Sequence, residues 1–314
     1  MPVIVDQAVL RIPLFDEFHN LENMEIKNLY GEWSKLLILQ KNTMYIITSS
    51  LKFKATTILS KNLSLLFGNF QVLTVEPFDT KTSEEYLEQA FARQEINNEL
   101  KKFIIHFTAG YPFYLKVISE ALLKSKQADF AGVLEGVLFE SSGILHQKFS
   151  NYLKRFLDSV YSQDYTAILY AVASGHNKLK ELTHILRKPL KEVSLRINHL
   201  LEFDVISRSG DFLKINDRVF GFWLKFVHQQ KMHSLTFDAK NQKAIFSGII
   251  ENMLQEFLSD HQKPIAERLQ QLLRLFQDET VRIEKKRMKL TRFREIKPLE
   301  FNNRSLKSGL VGRA

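Results

Sequence analysis

Hydrophobic residues change texture along the chain. In the first quarter, short apolar runs alternate with stretches of helical spacing. Residues 10–15 (LRIPLF), 42–48 (NTMYIIT) and 70–75 (FQVLTV) are compact, β-friendly runs and predict three strands. Between them Leu29, Trp33, Leu36 and Leu37 repeat at helical intervals, and residues 53–66 carry a second helical pattern that Gly68 ends. Strands separated by helices require crossover connections, hence a parallel sheet.

From about residue 80 the pattern is helical. Thr82 followed by Glu85 has capping-box spacing and opens a helix to about Arg93. Residues 97–108 form the next, and Pro112, after Ala109-Gly110-Tyr111, sits at the first turn of a helix over 113–124. An amphipathic helix follows at 144–161, an apolar one at 165–173 and a further helix at 178–186, and Pro189 opens another that reaches about Leu201. Residues 203–208 and 212–215 flank Ser209-Gly210-Asp211 as a two-stranded hairpin. Further on, 244–258 and 264–276 are helical, the latter extending toward Lys289 as a charged rod, and 293–314 read as irregular. The fold class is α/β, with a partial parallel sheet, followed by mainly α.

Composition narrows the chemistry. A chain of 314 residues exceeds one ordinary core and predicts two or three domains. There are no cysteines, which excludes disulfides, thiolate metal sites and cysteine nucleophiles and agrees with a cytoplasmic protein. No apolar run reaches the ~18 residues of a membrane helix, so no membrane partner is expected. The nine histidines are scattered, without HExxH or paired ligand spacing. The net charge of +9 is concentrated at the end: residues 281–314 hold eleven basic residues against three acids. A basic end attracts polyanions such as nucleic acid or anionic lipid, and equally serves as a solvated tail.

Two places carry candidate chemistry. Asp16 and Glu17 lie at the carboxyl end of the first strand, the edge where open parallel sheets bind ligands. In nucleotide hydrolases the first such acid holds Mg²⁺ and the second orients the attacking water. Two solvated acids ending a strand give the same pattern. The second place is the helix after Pro189. Lys188, Lys191, Ser194, Arg196, Asn198 and His199, with Arg208 in the hairpin, form a modest basic face of the kind a recognition helix presents to DNA. A winged helix that packs on its own chain as a moving joint fits the same residues.

Four phrases carry a resemblance: DEFHNL after a strand, a strand ending in ITSS, VEPFD leading into EEYL, and GYPFYL. In this order they resemble the archaeal-type STAND ATPases, relatives of AAA+ proteins within the P-loop class. A later phrase, DRVFGFWLKFV, resembles the end of the winged helix that this family carries behind its lid. The resemblance implies a P-loop-type sheet over residues 1–79, a helical lid over 80–140, a winged-helix domain over 141–232 and a helical, basic C-terminal region over 233–314. It implies ATP and Mg²⁺ as ligands. Asp16 becomes the magnesium acid of Walker B and Glu17 the catalytic acid. Thr48 or Ser49 becomes the γ-phosphate sensor, and Gly110 and Pro112 line the lid. A similar phrase to 244–258 opens a nuclease-like domain in relatives, but Glu251 and Glu256 lack the later acid and Glu-x-Lys constellation.

One part of the family pattern is missing. A Walker A loop needs G-x-x-x-x-G-K-[ST], and none of the twelve glycines is followed by lysine. Only fifteen residues precede Asp16. In the family's sheet order the missing strand lies between the second and third strands present here, leaving unpaired edges that re-pairing or a strand from another polypeptide must fill, or else a poorly ordered gap. Residues 3–6 (VIVD) offer one strand edge without phosphate-binding chemistry. The expectation is therefore an N-terminally truncated ATPase, inactive alone, with a partner polypeptide that supplies the Walker A half. The alternative is a non-enzymatic DNA-binding or protein-interaction module that uses the winged helix and basic tail.

Overall fold

The computed structural model describes residues 11–40, 42–125, 129–160, 164–233, 239–283, 286–300 and 308–313. The strand edge expected at residues 3–6 lies outside them. The chain divides into two compact units, Met1–Val75 with Leu195–Ile206, and Glu76–Ser194 with Ser207–Ala314.

The first unit is built on one parallel pairing. Strand β1 (Leu14–Phe15) lies beside β2 (Ile46–Ile47), with Leu14 opposite Ile46 and Phe15 opposite Ile47. A bridge between Arg11 and Thr43 lengthens the ladder. The amides of Met44, Ile46 and Thr48 donate to the carbonyls of Arg11, Pro13 and Phe15 at 2.9–3.0 Å. Pro13 thus supplies only its carbonyl, the one ladder group proline retains. A 3₁₀ segment (Phe18–Met24) and helix α1 (Leu29–Leu39) connect the strands. Helix α2 (Lys52–Thr57) runs on through a π-turn (Ile58–Asn62) and a 3₁₀ segment (Ser64–Asn69), so Gly68 lies within a helical turn and does not end one. Phe18, Trp33, Ile58, Leu59 and Leu63 form the core, and the Trp33 ring meets Phe15 edge-on at 5.4 Å.

The third expected strand is not formed. Residues 70–75 have no ladder partner, and Val72, Leu73 and Val75 are 60%, 79% and 97% exposed. A β-rich run becomes a strand only where a neighbouring edge satisfies its amides, and none of the described residues offers one beside it.

The second unit is mainly helical. Helix α3 (Thr80–Ala90) begins one turn earlier than the capping-box spacing predicts. Asp79 caps it by accepting from the Thr82 amide at 2.7 Å, while Glu85 lies 3.8 Å from Lys81. Helix α4 (Asn98–Thr108) is capped by Asn97, and α5 (Pro112–Lys124) starts with Pro112 in its first turn. Helix α6 (Phe130–Leu134) continues as a π-turn to Phe139. Then come α7 (Ile144–Val160), α8 (Asp164–Ala173), α9 (Leu179–Leu186) and α10 (Leu190–Glu202), followed by the hairpin β3 (Ile206–Ser209) and β4 (Phe212–Ile215). Helix α11 (Arg218–Trp223) passes through a π-turn into α12 (Gln229–His233), and α13 (Ala239–Gln262) and α14 (Ile265–Leu273) complete the helices.

An aromatic core joins these helices. Phe107 of α4 packs edge-on against Phe130 of α6 and Phe222 of α11, at 6.5 and 5.2 Å. Phe149 of α7 contacts Phe220 and Trp223 of α11 at 5.4 and 5.8 Å. Helix α13 is drawn onto the same core by Phe246, 5.3 Å from Phe139, and by Lys243, which reaches Glu135 and Glu140 at 2.7 Å each.

The C-terminal region differs most from its sequence pattern. Neither a charged rod nor an irregular end forms. Strand β5 (Glu279–Ile283) pairs antiparallel with β6 (Lys286–Leu290), and β7 (Glu295–Glu300) with β8 (Ser308–Arg313). Alternation explains the first hairpin: Val281, Met288 and Leu290 share one face, and Arg282, Arg287 and Lys289 the other. The abundance of Lys, Arg and Glu, good helix formers, masks that period of two. The glycines and Pro298 of the second hairpin mask it in the same way.

One backbone contact fixes the entry to the helical unit. The Phe78 amide donates to the Gly110 carbonyl at 3.0 Å, and Gly110 has φ +74°. A Cβ there would stand 2.1 Å from the Phe78 carbonyl oxygen. Gly110→Ala should therefore lose about 2 kcal/mol or more in urea unfolding. Gly136→Ala, where a Cβ meets nothing within 4 Å, should be nearly neutral.

Candidate functional site

Parallel pairing brings the carboxyl ends of β1 and β2 side by side, and with them Asp16 and Thr48. The Thr48 hydroxyl donates to Asp16 Oδ1, which also accepts from the Glu17 amide at 3.1 Å. Glu17 adopts a left-handed turn, φ 48° and ψ 47°, that swings the chain out of the strand. Its carboxylate accepts from the Ser50 amide at 2.7 Å, and the Phe18 amide donates to the Thr48 carbonyl at 3.0 Å. The two acids therefore tie the end of β1 to the turn after β2.

His19 is a member that sequence reasoning missed. It is buried, and its Nδ1 lies 2.7 Å from Ser49 Oγ and 3.2 Å from Glu17 Oε2. Burial holds its pKa below the ordinary 6.5, with Glu17 opposing that shift. The only sequence signal was its place two residues after the acid pair. The structure thus gathers Asp16, Glu17, Thr48 and Ser49 around one strand edge and adds His19 and Ser50. In this arrangement Glu17 acts as a clamp on the turn, holding Ser50 and His19.

Gly110 and Pro112 belong to the other unit, where Gly110 makes the close approach to Phe78. Among the described residues no group of three or more His, Asp or Glu is arranged to hold a metal ion. Asp16 and Thr48 do offer oxygen donors of the kind Mg²⁺ takes, with water and phosphate completing such a shell.

On α10, Lys191 and Asn198 are exposed and Ser194 half-buried along one face, with Leu195, 64% exposed, between them. Arg196 is half-buried and lies off that face. Arg208 is exposed on β3. The hairpin tip beyond it is covered. Asp211 exchanges two bonds with Thr280 of β5, amide to carbonyl at 3.0 Å and carboxylate to amide at 2.9 Å, and Ser209 Oγ donates to the Arg282 carbonyl at 3.2 Å. Gly210, φ +64°, sits where a Cβ would be 2.0 Å from the Thr280 carbonyl oxygen.

No protein family matches the chain, and neither does any curated protein. Among solved structures it is similar to "the Walker-type ATPase PABY2304 of Pyrococcus abyssi", with a TM-score of 0.56 and 21% identity over 68% of this chain. The likeness is one of fold. The match spans 62% of the Pyrococcus structure, so the chain corresponds to less than two thirds of that protein. No helix among the described residues is long and apolar enough to cross a membrane.

The buried histidine gives the site a pH dependence. Folded His19 takes up a proton less readily than unfolded His19, so its contribution is complete above pH 6.5 and is lost as pH falls below it. Hydrogen exchange at the Phe18 and Thr48 amides should accelerate from pH 7 to pH 5 beyond the intrinsic rate change, and His19→Gln should flatten that excess.

Proposed function

We propose that this chain carries the Walker B half of an ATP-dependent switch of the P-loop class, related to the STAND and AAA+ groups. The observation that carries the reading is the Asp16–Thr48 hydrogen bond at the carboxyl ends of two parallel strands. An acid and a hydroxyl side by side at the carboxyl ends of parallel strands support a site that senses a magnesium-bound γ-phosphate. The likeness to a Walker-type ATPase supports the same reading.

The phosphate grip comes from polypeptide outside this sequence. The absence of G-x-x-x-x-G-K-[ST] supports that, since neither Asp16 nor Thr48 replaces a ring of backbone amides and a lysine. Residues 70–75, which pair with no described strand, support it too, because an inserted strand would cover the exposed Val72, Leu73 and Val75. With the site complete, nucleotide would bias the helices after residue 80 between two arrangements and α8–α10 with the β3–β4 hairpin would act as a winged helix reading that bias.

Isothermal titration tests the reading. The 314 residues alone should bind Mg-ATP no tighter than a Kd of about 1 mM and show no turnover, since uncaged phosphates leave little affinity. A chain extended by an in-frame upstream strand–P-loop–helix segment should bind at micromolar Kd, and Asp16→Asn should cost it at least about tenfold, roughly 1.4 kcal/mol. Steady-state hydrolysis by the 314 residues themselves would overturn the proposal.

A further inference from the structure

The helical unit holds a cavity that the nucleotide reading does not use. It measures about 560 Å³, within the range of small-molecule sites, and opens to solvent. Every residue that lines it belongs to that unit. Helices α4 and α8 supply Phe107 and Val172, α11 supplies Phe222, the π-turn after it Phe226, and α13 Met253. The rings of Phe107 and Phe222 meet edge-on at 5.2 Å, and those of Phe222 and Phe226 lie 4.8 Å apart. One wall is therefore a continuous aromatic surface. Met253, unbranched and polarizable, adapts to what is placed against it.

Three cations share the lining: Lys214 of β4, Arg218 of α11 and Lys225 of the π-turn. Among the described residues none of the three forms an ion pair. Asp217 lines the cavity too, but its carboxylate oxygens accept from the Tyr114 hydroxyl and the Phe220 amide. Arg218 donates one N–H to the His106 carbonyl and keeps the rest of its fork. The Lys225 ammonium lies 4.7 Å from the centre of the Phe226 ring, which sets a positive charge beside the aromatic wall. Packing alone does not favour this combination. An apolar void forfeits dispersion contacts, and like charges around it repel. An anion with an apolar body relieves both.

We infer that this cavity binds a small amphipathic carboxylate. Its apolar body lies against Phe222, Phe226 and Met253, and its carboxylate meets Lys214, Arg218 and Lys225. The arginine fork suits the two oxygens of a carboxylate, and the lysines add point charges. A free polyphosphate fits less well, because the aromatic wall offers its hydrated charges no partner. The inference stands independently of the nucleotide reading.

Methyl NMR of the full chain, with its methionines ¹³C-methyl labelled, tests it with 2-naphthoate as the probe. The Met253 resonance, assigned through Met253→Leu, should shift saturably with a Kd between about 10⁻³ and 10⁻⁵ M, ordinary for a ligand of this size. Met24, Met44, Met232 and Met288, all exposed and outside the cavity, should stay put. Neutral 2-naphthamide should bind at least about tenfold more weakly, since it makes no charge-assisted hydrogen bond. Lys214→Gln with Lys225→Gln should weaken naphthoate binding at least about fivefold. The same variant should hold the amide within about twofold of the parent, which reports an intact cavity. The proposal is overturned if Met253 stays unmoved at about 5 mM naphthoate, or if the exposed methionines shift as far as it does. It is overturned equally if the parent binds the amide as tightly as the acid, if the glutamine variant binds the acid as the parent does, or if inorganic triphosphate binds at Met253 more tightly than naphthoate.

Discussion

The helical unit depends on how one carboxylate is kept out of water. Asp217 precedes α11 and accepts from the Phe220 amide at 2.9 Å, while the Tyr114 hydroxyl of α5 donates to its other oxygen. Burial raises its pKa, and both hydrogen bonds oppose that rise. A partly desolvated acid is tolerable only if its oxygens are satisfied. That requirement fixes α5 against α11 at one point. Arg218, the next residue, bonds the His106 carbonyl at the end of α4. Two adjacent residues thus bind both helices that flank Gly110, and the aromatic packing of Phe107 and Phe149 on α11 closes around them.

The same core shelters histidines without acids. Trp223 donates its indole N–H to His146 Nδ1 at 3.2 Å, and Tyr170 hydroxyl lies 2.5 Å from His228 Nδ1. Burial lowers the pKa of both histidines. They are neutral polar groups that satisfy Trp and Tyr inside an apolar region. In the smaller unit His19 does similar work beside Glu17. Neutral imidazoles whose pKa is lowered by desolvation recur in both units.

The site edge and the β5–β6 hairpin are two outcomes of strand chemistry. At β1 and β2, a short parallel ladder is enough to carry Asp16 beside Thr48 across thirty intervening residues of crossover. At residues 70–75 the same kind of sequence finds no partner among the described residues, and Val72, Leu73 and Val75 stay exposed. At β5 and β6, antiparallel neighbours in sequence find each other at once, since a hairpin needs little loop closure. Pairing, more than composition, decided which β-rich segments became strands.

Much of the helical architecture was legible in the sequence. Pro112 and the apolar spacing of 144–161 act within a turn or two of their own positions, so local rules suffice. Asp16 and Glu17 were legible as a pair at a strand's end for the same reason. Their partners were not. That Thr48 rather than Ser49 meets Asp16, that Glu17 clamps Ser50 and His19, and that Asp79 rather than Thr82 caps α3 depend on which backbone groups packing left unsatisfied. The strand over 70–75 failed, and the C-terminal hairpins formed, because a strand's hydrogen bonds belong to two segments at once, and one segment's sequence holds only half of that information.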